Sequence, residues 1–321
     1  MGLDINRTLS NLRHTVENSL HTVESLPKKI ENGLQNEAHT AQSFLQHAGE
    51  SLSSIYASRT GLSTALHPLS LFNRGNFAPP PDKQFDGYLV GANGRKFPPN
   101  TPLDQIPGVT PTGGVRNNET LIFVNGIQTD VAGQTHNLQA IANESGSRIV
   151  GVHNATTSFV GDVAQSLGDK LDIGNNPAVD TLADTVYDEL RAGRSPHLLA
   201  HSQGALITSR ALTDVKNRLM LEDGMSAQNA ERLMNNIKVE TFGGASRRFP
   251  DGPQYVHYVN RNDGVAQSFG LRSWLNPFAQ AGKDAVTHYF REGGPVTSHG
   301  FEEFYLPERV PFDDARRGNF R

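Results

Sequence analysis

Apolar residues near the beginning of the chain recur at intervals of three or four positions. They are Leu9, Leu12, Val16, Leu20, Val23, Leu26, Ile30 and Leu34. This spacing predicts an amphipathic helical arm over residues 1–56, and Pro27 is expected to kink or interrupt it. The apolar stripe is narrow and its neighbours are polar, which favours a solvated arm or a coiled-coil-like packing element. The stripe could also pack against the rest of the chain, or contact a partner or a membrane surface.

Residues 57–118 form a second region, rich in proline, glycine and asparagine. Its proline runs at residues 79–81 and 98–99 favour an extended connection over helices. Within it, Tyr88–Val90 and Arg95–Phe97 flank the dipeptide Asn93-Gly94. That pattern is typical of a small hairpin with a tight turn.

From residue 119 to residue 321 short apolar strands alternate with helices. The predicted strands are Leu121–Val124, Arg148–Val152, His197–Ala200, Ile237–Phe242, Tyr255–Val259 and Val286–Phe290. The predicted helices are His136–Asn143, Pro177–Leu190 and Ala205–Met220. Such alternation predicts an α/β domain in which helices cover a mostly parallel sheet.

Composition narrows the functional classes. A formal net charge of −4 and the absence of a long Lys/Arg run argue against a nucleic-acid partner. The chain has no cysteine, which excludes disulfides, thiolate zinc sites and a cysteine nucleophile. It also lacks a run of about 18 apolar residues, and Met1–Ser10 lacks the basic start and apolar stretch of a signal peptide. We therefore expect a protein that is cytoplasmic or exported by a route independent of a signal peptide.

The pattern small-x-Ser-x-Gly, which marks the nucleophile turn of α/β-hydrolases, occurs at Ser166, Ser202 and Ser268. Such a nucleophile needs a strand before it and a helix after it. Ser202 has both, whereas Ser166 continues into a Gly/Asn-rich loop and Ser268 follows a loop. We therefore predict Ser202 as the nucleophile and the other two as ordinary surface serines.

Ester hydrolysis also needs N–H donors for the developing oxyanion. One is the backbone N–H of the residue after the nucleophile, here Gln203, and the other comes from the loop after an earlier strand. The run Asn125-Gly126-Ile127 lies in that place, so Gly126 and Ile127 are candidate donors. The alternative is that Asn-Gly only makes a tight turn at the end of a strand.

Two runs after Ser202 resemble class 3 lipases of the α/β-hydrolase superfamily. Residues 237–245 (IKVETFGGA) are similar to the strand and turn that follow the nucleophile helix, and residues 256–265 (VHYVNRNDGV) to the strand that delivers the catalytic aspartate. The resemblance covers about residues 119–305 and implies an α/β-hydrolase fold with Asp263 as the triad acid. Ala200, Asn125 and Ala205 depart from the usual residues, which weakens any transfer of substrate specificity.

The position of Asp263 just beyond a predicted strand supports the same assignment. Asp251 lies in a Pro-Asp-Gly turn, where structural aspartates are common, and Asp284 follows a Gly-Lys stretch typical of a loop.

The general base is expected on a loop after the final strand, where His299 lies. His288 is the reserve candidate, although its place within a predicted strand favours a packing role. His201, next to the nucleophile, is expected to line the pocket or to pack against the sheet.

These residues predict acyl transfer to the serine, followed by hydrolysis of the acyl-enzyme by water, with no metal or cofactor. Asp162, Asp169 and Asp172 form an acidic cluster that suits a solvated loop. Calcium binding is the alternative, and it would need more oxygen ligands than this segment offers.

The substrate is expected to be an ester, and lipid is favoured. The candidate lid or acyl pocket consists of Phe269, Leu271, Trp274, Leu275 and Phe278. A helix packed on the core is the alternative interpretation of this segment. Together with the amphipathic arm, the segment favours triglyceride or phospholipid over small soluble esters.

Three other interpretations stay open. The chain could be a bacterial lipase effector whose arm serves delivery to a target membrane. It could also be a non-catalytic hydrolase-like scaffold that binds through the arm. An acyltransferase with an acceptor other than water would carry the same motifs.

Overall fold

The computed structural model describes residues 82–127, 129–155, 176–271, 279–294 and 298–321. The predicted helical arm at residues 1–56 lies outside these ranges, as do residues 57–81 of the predicted connection.

Eight strands among the described residues form one sheet. They are β1 (Leu89–Val90), β2 (Lys96–Phe97), β3 (Thr120–Val124), β4 (Arg148–Val152), β5 (His197–His201), β6 (Lys238–Phe242), β7 (Gln254–Asn260) and β8 (Val286–Phe290). Their order is β2-β1-β4-β3-β5-β6-β7-β8. β1 runs antiparallel to β2 and β4, and all other neighbours are parallel. The α/β class and the mostly parallel sheet expected from the sequence are confirmed.

The hairpin predicted around Asn93-Gly94 is the pair β1 and β2. Asn93 and Gly94 both have positive φ, 58° and 67°, which a tight turn requires. Because β1 also pairs with β4, the hairpin extends the main sheet at one edge.

Six α-helices lie in the described part of the chain. They are α1 (Val131–Ser145), α2 (Pro177–Arg191), α3 (Gln203–Leu221), α4 (Ala227–Met234), α5 (Gly264–Phe269) and α6 (Phe312–Arg316). α1 begins five residues before the predicted start at His136, because Asp130 caps it by accepting a hydrogen bond from the Gly133 N–H at 2.7 Å. None of the described helices has both the length and the apolar character that crossing a bilayer requires.

Alternate residues of β5 serve the two faces of the sheet. Leu198 and Ala200 pack into a cluster with side chains of α2 and α3, whereas Leu199 packs into a second cluster with side chains of α1 and the segment after His299. This period of two, with apolar residues on both faces, is expected for a central strand of a parallel sheet. The core therefore fixes β5, and with it the position of the turn that follows.

A buried ionic cluster fastens the segment after His299 to the sheet. Glu240 of β6 is fully buried, and its Oε1 accepts hydrogen bonds from Arg309 Nη2 at 2.8 Å and from His197 Nε2 at 2.8 Å. Arg309 Nη1 also donates to Glu144 Oε2 at 2.7 Å. Burial opposes ionisation of Glu240, but the charge of Arg309 and the bond from His197 outweigh it and lower the pKa of this carboxyl.

His197 of the same cluster lies between two carboxylates. Its Nδ1 donates to Glu119 Oε1 at 3.0 Å, while its Nε2 donates to Glu240. A neutral imidazole has only one N–H, so this arrangement requires the imidazolium. Burial acts to lower the pKa of His197, but its bonds to the two glutamates outweigh burial and raise it.

Candidate active site

Ser202 occupies a strained turn between β5 and α3. Its φ of 55° and ψ of −122° lie in a region that residues with a side chain rarely adopt. Three backbone hydrogen bonds hold this conformation: Ser202 N–H donates to Phe242 O at 3.0 Å, and Ser202 O accepts from Ala205 at 3.1 Å and from Ala245 at 2.9 Å. The strain of about 1–3 kcal/mol is thus offset by contacts with both α3 and the turn after β6.

Glycine is required where α3 crosses the end of β3. A Cβ added at Gly204 would lie 2.3 Å from Val124 O, well inside van der Waals contact. A Cβ added at Gly126 would lie 3.0 Å from the Cβ of Ser202. These close approaches bring the first turn of α3 against the end of β3 and the loop after β3 against Ser202, as the Ser-x-Gly pattern predicts.

Ser202, His299 and Asp263 form a continuous chain of hydrogen bonds. Ser202 Oγ lies 2.8 Å from His299 Nε2, and His299 Nδ1 lies 2.7 Å from Asp263 Oδ2. Because the carboxylate can only accept, Nδ1 carries a proton, and Nε2 of the neutral ring is then the acceptor for the serine hydroxyl. The three residues predicted separately from the sequence therefore come together at hydrogen-bonding distance.

Asp263 caps α5 while it faces His299. Its Oδ1 accepts hydrogen bonds from the backbone N–H of Val265 at 2.8 Å and of Ala266 at 3.4 Å. The side chain is fully buried. Burial acts to raise its pKa, but the charge of His299, the hydrogen bonds from His299 and Tyr305, and the Val265 N–H together lower it. The carboxyl group is therefore held ionised despite its burial.

Tyr305 is a part of the site that the sequence prediction missed. Its hydroxyl donates to Asp263 Oδ2 at 2.5 Å, the oxygen that also accepts from His299. Burial first, and then the charge of Asp263, raise the pKa of this phenol, so it remains a donor. Tyr305 lies 42 residues from Asp263 along the chain, and no local pattern indicates this contact.

Asn260, the last residue of β7, binds the segment that leads from β8 to His299. Its Nδ2 donates to Glu292 O at 2.9 Å and to Ser298 O at 3.3 Å. Its Oδ1 accepts from the Glu292 N–H at 3.2 Å. The sequence prediction included this residue only as part of the lipase-like run and gave it no role.

The predicted oxyanion donors lie on either side of Ser202. As the first residue of α3, Gln203 has a backbone N–H without an acceptor inside the helix. Asn125 shapes the loop on the other side, where its Nδ2 donates to Gly126 O at 2.8 Å and to Asn154 O at 2.8 Å. Asn154 Nδ2 in turn donates to Gln203 Oε1 at 2.9 Å. A buried amide network thus connects the carbonyl group of Gly126 to the side chain of Gln203. The sequence prediction also missed this network.

Two residues of the candidate lid or acyl pocket are described. Phe269 packs with Ile127 and Val265 against the buried Ala245, whereas Leu271 packs against the main core. Trp274, Leu275 and Phe278 lie outside the described residues.

The other two motif serines lie in different parts of the chain. Ser268 lies in α5, so the loop predicted before it is partly helical. Ser166 lies outside the described residues.

The remaining histidine and aspartate candidates have other partners. His288 lies within β8, 3.1 Å from Glu308 Oε2, and stacks on Phe320. Asp251 accepts from the Lys283 N–H at 2.8 Å. Asp284 has a positive φ of 57°, which suits the loop predicted there.

The acidic cluster Asp162, Asp169 and Asp172, predicted as a solvated loop with calcium binding as the alternative, lies outside the described ranges. Within those ranges, no three His, Cys, Asp or Glu side chains cluster as ligands for a metal ion.

Comparisons of the chain with protein-family models, with curated proteins and with solved structures gave no match. The resemblance to class 3 lipases therefore depends on the motif residues themselves, and the chemistry of the site has to be argued from its geometry.

Proposed function

We propose that this protein is a serine ester hydrolase with an α/β-hydrolase fold. The observation that carries the proposal is the continuous hydrogen-bond chain from Ser202 Oγ through His299 to Asp263. The strained strand-to-helix turn at Ser202 supports it, as does the chain order serine, aspartate, histidine, which α/β-hydrolases share.

The proposed reaction is acyl transfer in two steps. His299 Nε2 accepts the Ser202 proton as Oγ attacks the carbonyl carbon of the ester, and the same proton then passes to the departing alcohol. Water, activated by His299, hydrolyses the acyl-enzyme and regenerates the serine. Asp263, held as the anion, stabilises the imidazolium that forms in both steps.

The oxyanion is proposed to rest on the backbone N–H of Gln203 and on an N–H of Gly126 or Ile127. Removing one such donor in other serine hydrolases costs roughly 10²–10³-fold in kcat. The amide network of Asn125, Asn154 and Gln203 keeps these backbone segments in place before substrate binds, which is what such stabilisation requires.

A lipid ester is the substrate class that the surroundings of Ser202 favour. Ala245, whose N–H binds Ser202 O, is packed by the partly exposed side chains of Ile127, Val265 and Phe269. Ile127 lies in the loop with the proposed oxyanion donors, and Val265 and Phe269 lie in α5, directly after Asp263. We therefore expect these apolar side chains to face an acyl chain rather than a polar group. Contact of the arm with a membrane surface stays a prediction, because residues 1–56 are not described.

Labelling with a fluorophosphonate tests the proposal, since such probes react with activated serines. We expect the full chain to be labelled and Ser202→Ala to be unlabelled. Ser268→Ala is the matched control, because it removes a serine from the same sequence pattern and should label like the unaltered protein. Absence of labelling in the unaltered protein, with and without detergent, would overturn the proposal. A series of nitrophenyl esters then tests the substrate class, with kcat/KM expected to rise toward long acyl chains.

A further inference from the structure

His201 contacts the general base directly. It is the last residue of β5, so the peptide bond fixes it next to Ser202. Its Nε2 lies 3.0 Å from the backbone carbonyl oxygen of His299. Since a carbonyl oxygen can only accept, Nε2 carries the proton, and the contact determines the tautomer of His201.

The ring of His201 also packs against the ring of His299. The two centroids are 4.8 Å apart, with the planes tilted by 33°. The centroids of the Phe301 and Tyr305 rings lie 5.3 Å and 6.1 Å from the centroid of the His201 ring. A Cβ added at Gly126 would lie 3.4 Å from His201 Nδ1, so the oxyanion loop also approaches this ring closely. The His201 ring, at the end of β5, therefore contacts both the loop that contains Gly126 and the segment that carries His299.

We infer that His201 is a positioning residue for the reaction of the proposed hydrolase, on which this inference rests. Its Nε2–H fixes the backbone of His299, and its ring limits the rotation of the His299 ring, so that His299 Nε2 stays directed at Ser202 Oγ. Two hydrogen bonds then join His201 and Ser202 to His299. The bond between Ser202 Oγ and His299 Nε2 takes part in the reaction, whereas the bond from His201 Nε2 to the His299 carbonyl does not. The second bond persists while the first is broken and remade in each step.

The charge of His201 is consistent with this role. Burial, followed by the nearby charge of His299, lowers the pKa of His201 to about 3, while the charge of Asp263 and the hydrogen bond to the His299 carbonyl act in the opposite direction. Tyr305, the other titratable group against the ring, stays a neutral phenol. His201 therefore remains uncharged next to the imidazolium that forms on His299, and so it does not oppose proton transfer.

The test compares His201→Phe, which keeps a ring but loses the N–H, with His201→Gln, which keeps an N–H of similar reach. His201→Phe is expected to lower kcat and the rate of fluorophosphonate labelling by roughly 10- to 100-fold, because small misplacements of a catalytic group have effects of this size. KM should be almost unchanged, and His201→Gln should recover most of the lost rate. His288→Phe is the matched control: it alters another ring-stacked histidine, 3.1 Å from a carboxylate, and should react normally.

Labelling of His201→Phe at the rate of the unaltered protein would overturn the inference and leave the proposed function intact. Absence of labelling in the unaltered protein would overturn both. A measurement on the unaltered protein covers the case in which the Phe variant does not fold. In ¹⁵N spectra of the histidine side chains, assigned with His201→Gln, we expect His201 to be protonated on Nε2 alone and not to titrate between about pH 5 and pH 8. A proton on Nδ1, or titration in that interval, would contradict the inference.

Discussion

The Tyr305 hydroxyl and His299 Nδ1 donate to the same oxygen of Asp263, Oδ2, over 2.5 Å and 2.7 Å. The phenol therefore shares the stabilisation of a fully buried carboxylate with the imidazole. In a site of this kind the acid has to stay ionised while the base changes its charge. A second donor to Asp263 contributes to that requirement.

Replacing Tyr305 with Phe tests this relationship. Without the hydroxyl, Asp263 loses one of the groups that lower its pKa, so its pKa should rise. We expect the acid limb of the kcat/KM profile to move to higher pH and the free energy of unfolding to fall by about 1–3 kcal/mol. The measurements are initial rates across pH and urea unfolding. Tyr289→Phe, at an exposed residue of β8, serves as the control, and an acid limb that does not move in Tyr305→Phe would contradict the expectation.

Gly243 gives a second prediction, because the turn after β6 has no room for a side chain. Its φ is 55°, and an added Cβ would lie 2.8 Å from both Asp263 Oδ2 and the Tyr305 hydroxyl oxygen. Gly243→Ala should therefore lower the free energy of unfolding by about 1–2 kcal/mol for the backbone and by about 1–3 kcal/mol more for the overlap. It should also lower kcat by on the order of 10²-fold, through displacement of the acid.

Gly193→Ala separates the two causes. Gly193 has a similar positive φ of 72°, but an added Cβ would meet nothing within 4 Å. It should show only the backbone cost and normal activity. Equal effects of the two substitutions on rate would mean that Gly243 does not act through Asp263.

The His197 cluster predicts a dependence of stability on pH. The pKa of His197 is raised above its ordinary 6.5 in the folded protein, so its stabilisation is complete below that value and is lost as pH rises through the raised pKa. Glu240 affects stability in a separate pH range. Because its pKa is lowered in the folded protein, its stabilisation is complete above pH 4.5 and is lost as the pH falls through the lowered pKa. We therefore expect the free energy of unfolding to decline on the alkaline side of about pH 6.5.

His197→Gln removes the titrating group and should flatten this alkaline decline while lowering stability overall. Urea unfolding at a series of pH values measures it. His136→Gln is the control, because its side chain is 77% exposed and pairs with Glu302 at the surface. An unchanged alkaline decline in His197→Gln would mean that another group is responsible.

The sequence predicted the parts of this molecule that depend on local order. Ser202 could be selected among three serines because its strand and helix are adjacent to it, and the turn at Asn93-Gly94 could be predicted from two residues. Tyr305 and Arg309 could not be predicted, since each reaches a partner brought near by strand pairing. The start of α1 was missed because Asp130 acts through a side-chain bond that apolar periodicity does not record.

The conformation of Ser202 has a consequence for how the site assembles. Its positive φ depends on the carbonyl oxygen of Phe242, which accepts from the Ser202 N–H, and on the N–H of Ala245, which donates to the Ser202 carbonyl. Both residues lie some forty positions further along the chain. A fragment limited to β5 and α3 would lack these partners, and its serine would relax to an ordinary backbone conformation. During folding, this conformation of Ser202 can form only after β6 has docked beside β5, and His299, the proposed general base, comes from still further along the chain. Recovery of labelling on refolding should therefore lag behind recovery of helical structure, because non-local contacts form late.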